Sequence, residues 1–184
     1  MRLVALASIA MVLSGCGNIQ NVLAYSKAYM EPNSGDTARL RVITNGMVRG
    51  VPGRDCIDWR VQGAGVMAVK QSGFADQNNG RSLGMPTGSE RADGMAHVRS
   101  ELKVQANQPL TINFQGFGTI SNGTSYSCQE RFSFTPQASQ DYELVLIENS
   151  SCLVSLVQLN QEGPATPKRL EDAGFCNALD ALQV

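Results

Sequence analysis

Between Arg39 and Thr44 the side chains alternate, with Leu40, Val42 and Thr44 on one side of an extended segment and Arg39, Arg41 and Ile43 on the other. A period of two predicts a half-buried β-strand, and Asn45-Gly46 then marks a turn. Short β-type runs follow at Cys56 to Val61 and Gly65 to Val69, where Val66, Ala68 and Lys70 oppose Met67 and Val69. The alternation returns with Ala96, Val98, Leu102 and Val104 facing away from His97, Arg99, Glu101 and Lys103. Leu110, Ile112 and Phe114 lead to Asn122-Gly123, and Cys128, Glu130, Phe132 and Phe134 bring the chain back, which predicts a hairpin. A second hairpin runs from Tyr142, Leu144 and Leu146 through Asn149-Ser150-Ser151 into Leu153, Ser155, Val157 and Leu159. Near the end, Leu170, Ala173, Cys176, Leu179 and Leu182 fall at multiples of three and suggest a short C-terminal helix. The 18 glycines and 7 prolines are spread between the strands. The expected fold is therefore all-β, an antiparallel β-sandwich spanning 37–184 as one domain.

Before position 37 the pattern is different. Arg2 is followed by an apolar run from Leu3 to Leu13 and then by Leu13-Ser14-Gly15-Cys16, the layout of a signal peptide. As a helix that run would rise only about 16 Å against a hydrocarbon core of about 30 Å, too little to span a bilayer. Leu13-Ser14-Gly15-Cys16 resembles the lipobox of bacterial lipoproteins. The resemblance implies cleavage after residue 15, diacylglycerol on the Cys16 thiol, and acylation of the freed amine. Several acyl chains anchor firmly where one does not. Residues 1–15 are then a signal peptide and 16–36 a lipidated tether. In that tether Ile19, Val22, Leu23 and Met30 have near-helical spacing before Pro32, Asn33, Ser34 and Gly35. In the family an Asp after the Cys favours the inner membrane; Gly17 stands here, which implies the outer membrane, on its periplasmic face.

An exported chain changes the reading of its cysteines. Apart from Cys16 there are four, Cys56, Cys128, Cys152 and Cys176, and an even number in an oxidising compartment points to two disulfides. Of the three connectivities, Cys56 to Cys128 with Cys152 to Cys176 is the expected one. A zinc site would need close pairs such as C-x-x-C, which are missing. Without Arg2 the mature part has 14 basic against 16 acidic side chains, so its balance offers no electrostatic case for nucleic acid. Phe132-x-Phe134-x-Pro136 followed by Tyr142-x-Leu144 loosely resembles the immunoglobulin-like or transthyretin-like sandwiches of small envelope lipoproteins. Trp59 follows Cys56 by only three positions, unlike the immunoglobulin spacing, so the topology stays open.

Three motifs invite chemistry. Gly80-Arg81-Ser82-Leu83-Gly84 satisfies the G-x-S-x-G form of a hydrolase nucleophile, but that elbow needs a strand before and a helix after, whereas Asn78-Asn79 precedes and Pro86 follows. His97 is the sole histidine, expected on a solvated strand face, and one histidine cannot supply a paired-His metal site. Asp76-x-Asn78-Asn79-Gly80 is similar to a calcium loop whose glycine comes one position early, with Thr87 where the twelfth-place Glu belongs. Neither catalytic residues nor a cofactor or metal are expected. The remaining candidate is Gln71 to Gly94, a polar, glycine-rich stretch without periodicity, expected to be a partner-binding loop that adds little to the core. The expected function is a membrane-anchored, non-catalytic binding, assembly or structural role in the envelope. The alternatives are an inhibitor of an envelope-directed hydrolase such as a lysozyme, and an enzyme acting on envelope polymers.

Overall fold

The computed structural model describes residues 25–71, 75–88, 97–121, 124–160 and 163–183. The expected signal peptide, Cys16, the helical spacing at Ile19 to Leu23, the expected Asn122-Gly123 turn, residues 72–74 and 89–94 of the expected loop, and Ala96 lie outside them. Two five-stranded sheets face each other. Their strands are β1 (Thr37–Thr44), β2 (Met47–Pro52), β3 (Gly65–Val69), β4 (Val98–Gln105), β5 (Leu110–Gln115), β8 (Gln129–Phe134), β9 (Asp141–Glu148), β10 (Cys152–Leu159), β11 (Thr166–Pro167) and β12 (Glu171–Asp172). The first sheet has the order β11-β10-β9-β1-β4 and the second β12-β8-β5-β2-β3, while β6 (Thr119–Ser121) and β7 (Thr124–Tyr126) form a separate ribbon. Every pairing is antiparallel except β1 with β9.

The alternating sequence dictates the core. Leu40 and Val42 of β1, Leu102 and Val104 of β4, and Tyr142, Leu144 and Leu146 of β9 point inward from the first sheet. Val48, Leu110, Ile112, Phe114, Phe132 and Phe134 meet them from the second, and all of these side chains are buried. Both expected hairpins are present: Leu110 pairs with Phe134 and Ile112 with Phe132, while Leu144 pairs with Leu156 and Leu146 with Val154. Asn45-Gly46 has a different job from a hairpin turn. It carries the chain from β1 in one sheet to β2 in the other, and the Asn45 side chain holds both the N–H and the carbonyl of Glu148.

Several expectations need correction. The run Cys56 to Val61 is not a strand; it makes one parallel bridge, Ile57 with Phe175. The end of the chain contains β11, β12 and a 3-10 helix at Ala178–Gln183, rather than a helix beginning near Leu170, because Glu171 and Asp172 pair with β8. Residues 27–31, expected in the tether, pack on the sandwich: Tyr29 is buried, the Tyr29 N–H donates to the Val66 carbonyl, and the Val66 N–H donates to the Lys27 carbonyl. Those bonds also cover the open edge of β3, and Glu31 accepts from the Lys103 N–H on the open edge of β4. Strand edges left bare invite unwanted pairing.

The cysteines do form two bridges, but they are Cys56–Cys176 and Cys128–Cys152. Cys128 opens β8 and Cys152 opens β10, and the sandwich places these starts together with a Cα separation of 5.7 Å. Spacing along the chain could not show which strand starts share an end of the sandwich. Non-reducing peptide mapping should recover these two pairs. The bridges span 120 and 24 residues. Removing Cys56–Cys176 should therefore cost about 1.4 kcal/mol more stability than removing Cys128–Cys152 in the chain-entropy model, measurable by urea unfolding of the two Cys-to-Ala double variants.

Candidate functional site

The outward face of the first sheet is charged in sequence yet buried in the fold. Arg41 is 3 % exposed, Glu101 4 % and Glu143 0 %. They stand side by side on β1, β4 and β9, because Arg41 pairs in register with Glu101 on one side and Glu143 on the other. The Arg41 guanidinium donates to Glu101 at 2.8 and 2.9 Å and to Glu143 at 3.1 Å. Its remaining reach goes to the carbonyls of Met85 and Pro86 at 3.2 and 2.7 Å.

Those carbonyls belong to the stretch expected to be a free loop. Residues 81–88 instead lie flat across the sheet. The Glu101 N–H donates to the Arg81 carbonyl, while the second carboxylate oxygen of Glu101 accepts from the N–H groups of Leu83 and Met85. Arg39 forks onto Asp141 with two 2.6 Å bonds and also donates to the Leu83 carbonyl. Leu83 and Met85 pack on Val157 and Leu159 of β10. Gly88 passes so close to Glu143 that a Cβ there would overlap the carboxylate, which only glycine avoids. The expectation that this segment adds little to packing is thus corrected for residues 75–88.

The same crossing absorbs the chemical motifs. The Ser82 hydroxyl donates to Glu101, and its surroundings are a turn before and extended chain after, not the strand and helix of a nucleophile elbow. Asn78 is buried and donates to the carbonyls of Tyr29 and Val66, and Asn79 binds both backbone groups of Val69 as a strand would. The Asn79 Oδ1 accepts from the Val69 N–H and the Asn78 Oδ1 accepts from the Arg81 guanidinium, so both side-chain oxygens are engaged within the chain. His97 is half-buried just before β4, not on a solvated face.

The second sheet carries the residues that sequence reasoning missed. Arg49 of β2, Asn113 of β5 and Arg131 of β8 form one row across three adjacent strands, all pointing outward. Arg49 is 3 % exposed, and none of the side chains beside it in the row is a carboxylate. Its guanidinium lies 3.9 Å from the centre of the Tyr25 ring and 4.3 Å from that of Trp59, and it donates to Asn113 Oδ1 at 2.6 Å. Among the described residues its Nε has no hydrogen-bond partner. Burial pushes the guanidinium below its usual pKa, and the neighbouring Tyr25 acts against that shift. An arginine nevertheless stays charged at neutral pH. Arg131 is exposed and sits over Phe175, ring centre at 5.4 Å. Trp59 and Phe175 reach this face because the Cys56–Cys176 bridge and the paired backbones of Ile57 and Gly174 hold their two segments together.

The acidic residue of the first network sets a pH dependence. Burial alone would raise the Glu101 carboxyl, but the N–H groups of Leu83 and Met85 and the guanidinium of Arg41 outweigh it and hold the pKa below the usual value. With the folded pKa below the unfolded value of about 4.3, the stabilisation is complete above that pH and fades as pH falls through the folded value. Glu101→Gln leaves Arg41 paired with Glu143 but weakens the charge-assisted bonds to Arg41, Leu83 and Met85, so it should lower stability at pH 7 by about 2 kcal/mol and flatten the acid limb of the stability curve. Thermal unfolding from pH 7 to pH 3 measures both; equal acid limbs would contradict the assignment. In comparisons with known proteins, no family model, no curated protein and no solved structure matches this chain.

Proposed function

We propose that this chain is a lipid-anchored envelope lipoprotein whose sandwich is a non-catalytic binding module, with the Arg49 face as its binding surface. The lipobox-like Leu13-Ser14-Gly15-Cys16 supports the anchor on Cys16, and Gly17 supports the outer membrane. The observation that carries the binding role is Arg49 itself. A desolvated cation without a carboxylate is costly, commonly by several kcal/mol, and a fold accepts such a cost most readily where a ligand relieves it. No such debt attaches to Arg41, whose charge is matched by Glu101 and Glu143.

An inhibitor would present a protruding loop to a foreign cleft, and residues 75–88 lie against their own sheet instead. An enzyme would need its nucleophile available, and Ser82 is engaged with a carboxylate already held by Arg41. These two observations favour the binding-module reading for residues 75–88 and for Ser82, and the Arg49 face is the partner surface in this proposal.

The anchor is tested at one atom. In a bacterial host, Cys16→Ala should abolish incorporation of labelled fatty acid and shift the protein from the detergent phase to the aqueous phase. A variant that still partitions with detergent would overturn the lipoprotein reading.

A further inference from the structure

We infer that the Arg49–Asn113–Arg131 row is a site for a tetrahedral oxyanion of the phosphate type. This rests on the reading of Arg49 as part of a binding surface and names the chemistry of what binds there. A shallow cleft of about 10 Å³, lined by Arg49, Asn113, Phe114, Gln115, Gln129, Arg131 and Phe175, contributes two cations, three side-chain amides and no carboxylate, and the oxyanion seats at its mouth, where Arg131 is exposed, rather than inside it. Arg49 and Arg131 stand on strands separated by one neighbour, so their Cα atoms are about 10 Å apart, a span that two long side chains can close onto one ion. Asn113 lies between them. Its Oδ1 is occupied by Arg49, so toward a ligand the amide offers its N–H groups.

The donor geometry selects the ion. A planar carboxylate is satisfied by one guanidinium fork, whereas a phosphate presents three or more acceptor oxygens in different directions and takes two forks and an amide together. The aromatic faces of Tyr25 and Trp59 keep Arg49 charged and fixed in the absence of the ion. Location indicates a source. Tyr25, one wall of the Arg49 cage, follows Cys16 by only nine positions. Fully extended, that length reaches about 30 Å. A lipid on Cys16 therefore keeps this face within reach of membrane phosphates.

Trp59, the single tryptophan of the chain, stacks on Arg49 and reports occupancy directly. Full-length protein in neutral detergent should show a saturable change in Trp59 emission with inorganic phosphate at constant ionic strength, and none with chloride. Arg131→Ala, an exposed position, should weaken the response about tenfold or more while leaving the melting temperature in place. Arg49→Lys should keep the charge and the fold but lose the fork, and weaken it similarly. Absence of saturation, an unaltered response in Arg131→Ala, or acetate binding as tightly as phosphate would overturn the proposal. Micelles doped with phosphatidylglycerol, compared with inorganic phosphate at equal phosphate concentration, separate the sources. A response at lower phosphate in the doped micelles assigns the site to a lipid headgroup, and the reverse order to a free ion. The titration is independent of the anchor: a Cys16→Ala chain that binds phosphate yet still partitions with detergent would sink the lipoprotein reading alone, and a membrane-held chain blind to phosphate would sink this one alone.

Discussion

Arg41 joins four pieces of chain that are far apart in sequence: its own β1, Glu101 of β4, Glu143 of β9, and the carbonyls of Met85 and Pro86. The first sheet and its cover both depend on that junction. Strand β1 lies between β4, antiparallel on one side, and β9, parallel on the other, and the cation sits where all three outward faces meet. Once residues 81–88 are laid over these charges, water is excluded, and each charge must be matched within the protein. One guanidinium answers both carboxylates by hydrogen bonds, and the excess negative charge is eased by the N–H groups of Leu83 and Met85, which donate to Glu101. Removing one partner leaves a buried charge, which is why the network fixes the path of the crossing segment so firmly.

The two sheets treat burial of charge in opposite ways. On the first, Arg39 forks onto Asp141 and Arg41 is shared between two glutamates, so the anions come from the same chain. On the second, Arg49 is equally buried but is surrounded by Tyr25, Trp59 and Asn113, which contribute π-faces and one amide oxygen rather than an anion. The first arrangement is closed. The second is polarised toward an anion, and the difference in chemistry is what separates a structural charge cluster from a candidate binding surface.

The disulfides serve these faces unequally. Cys128–Cys152 ties the starts of β8 and β10 at one end of the sandwich, near Glu148, which accepts from the Cys128 N–H. Cys56–Cys176 holds two irregular segments that have little sheet of their own, and it is these segments that bring Trp59 and Phe175 over the arginine row. Arg60 adds a further tie by pairing with Asp58 and Asp180 on the surface, where solvent screening leaves such pairs weak. A covalent link substitutes there for the packing that short loops cannot supply.

Alternation along the chain was enough to determine the β-class, the two hairpins and the inward set of Leu40, Val42, Leu144, Ile112 and Phe132, because a period of two assigns each side chain to a face without reference to any other strand. Residue type alone also marked the four domain cysteines as bridge formers. Periodicity could not tell what covers the outward face, so Arg41 and Glu101 read as solvated when they are buried, and Gln71 to Gly94 read as a loop when its residues 81–88 are a cover. Nor could it pair Cys56 with Cys176, or place Arg49 between Tyr25 and Trp59, since those contacts join segments with no shared period. Both depend on which strands become neighbours, and here that was decided by the parallel insertion of β9 beside β1 and by the crossing between sheets at Asn45-Gly46, long-range choices made by the packing of the whole core.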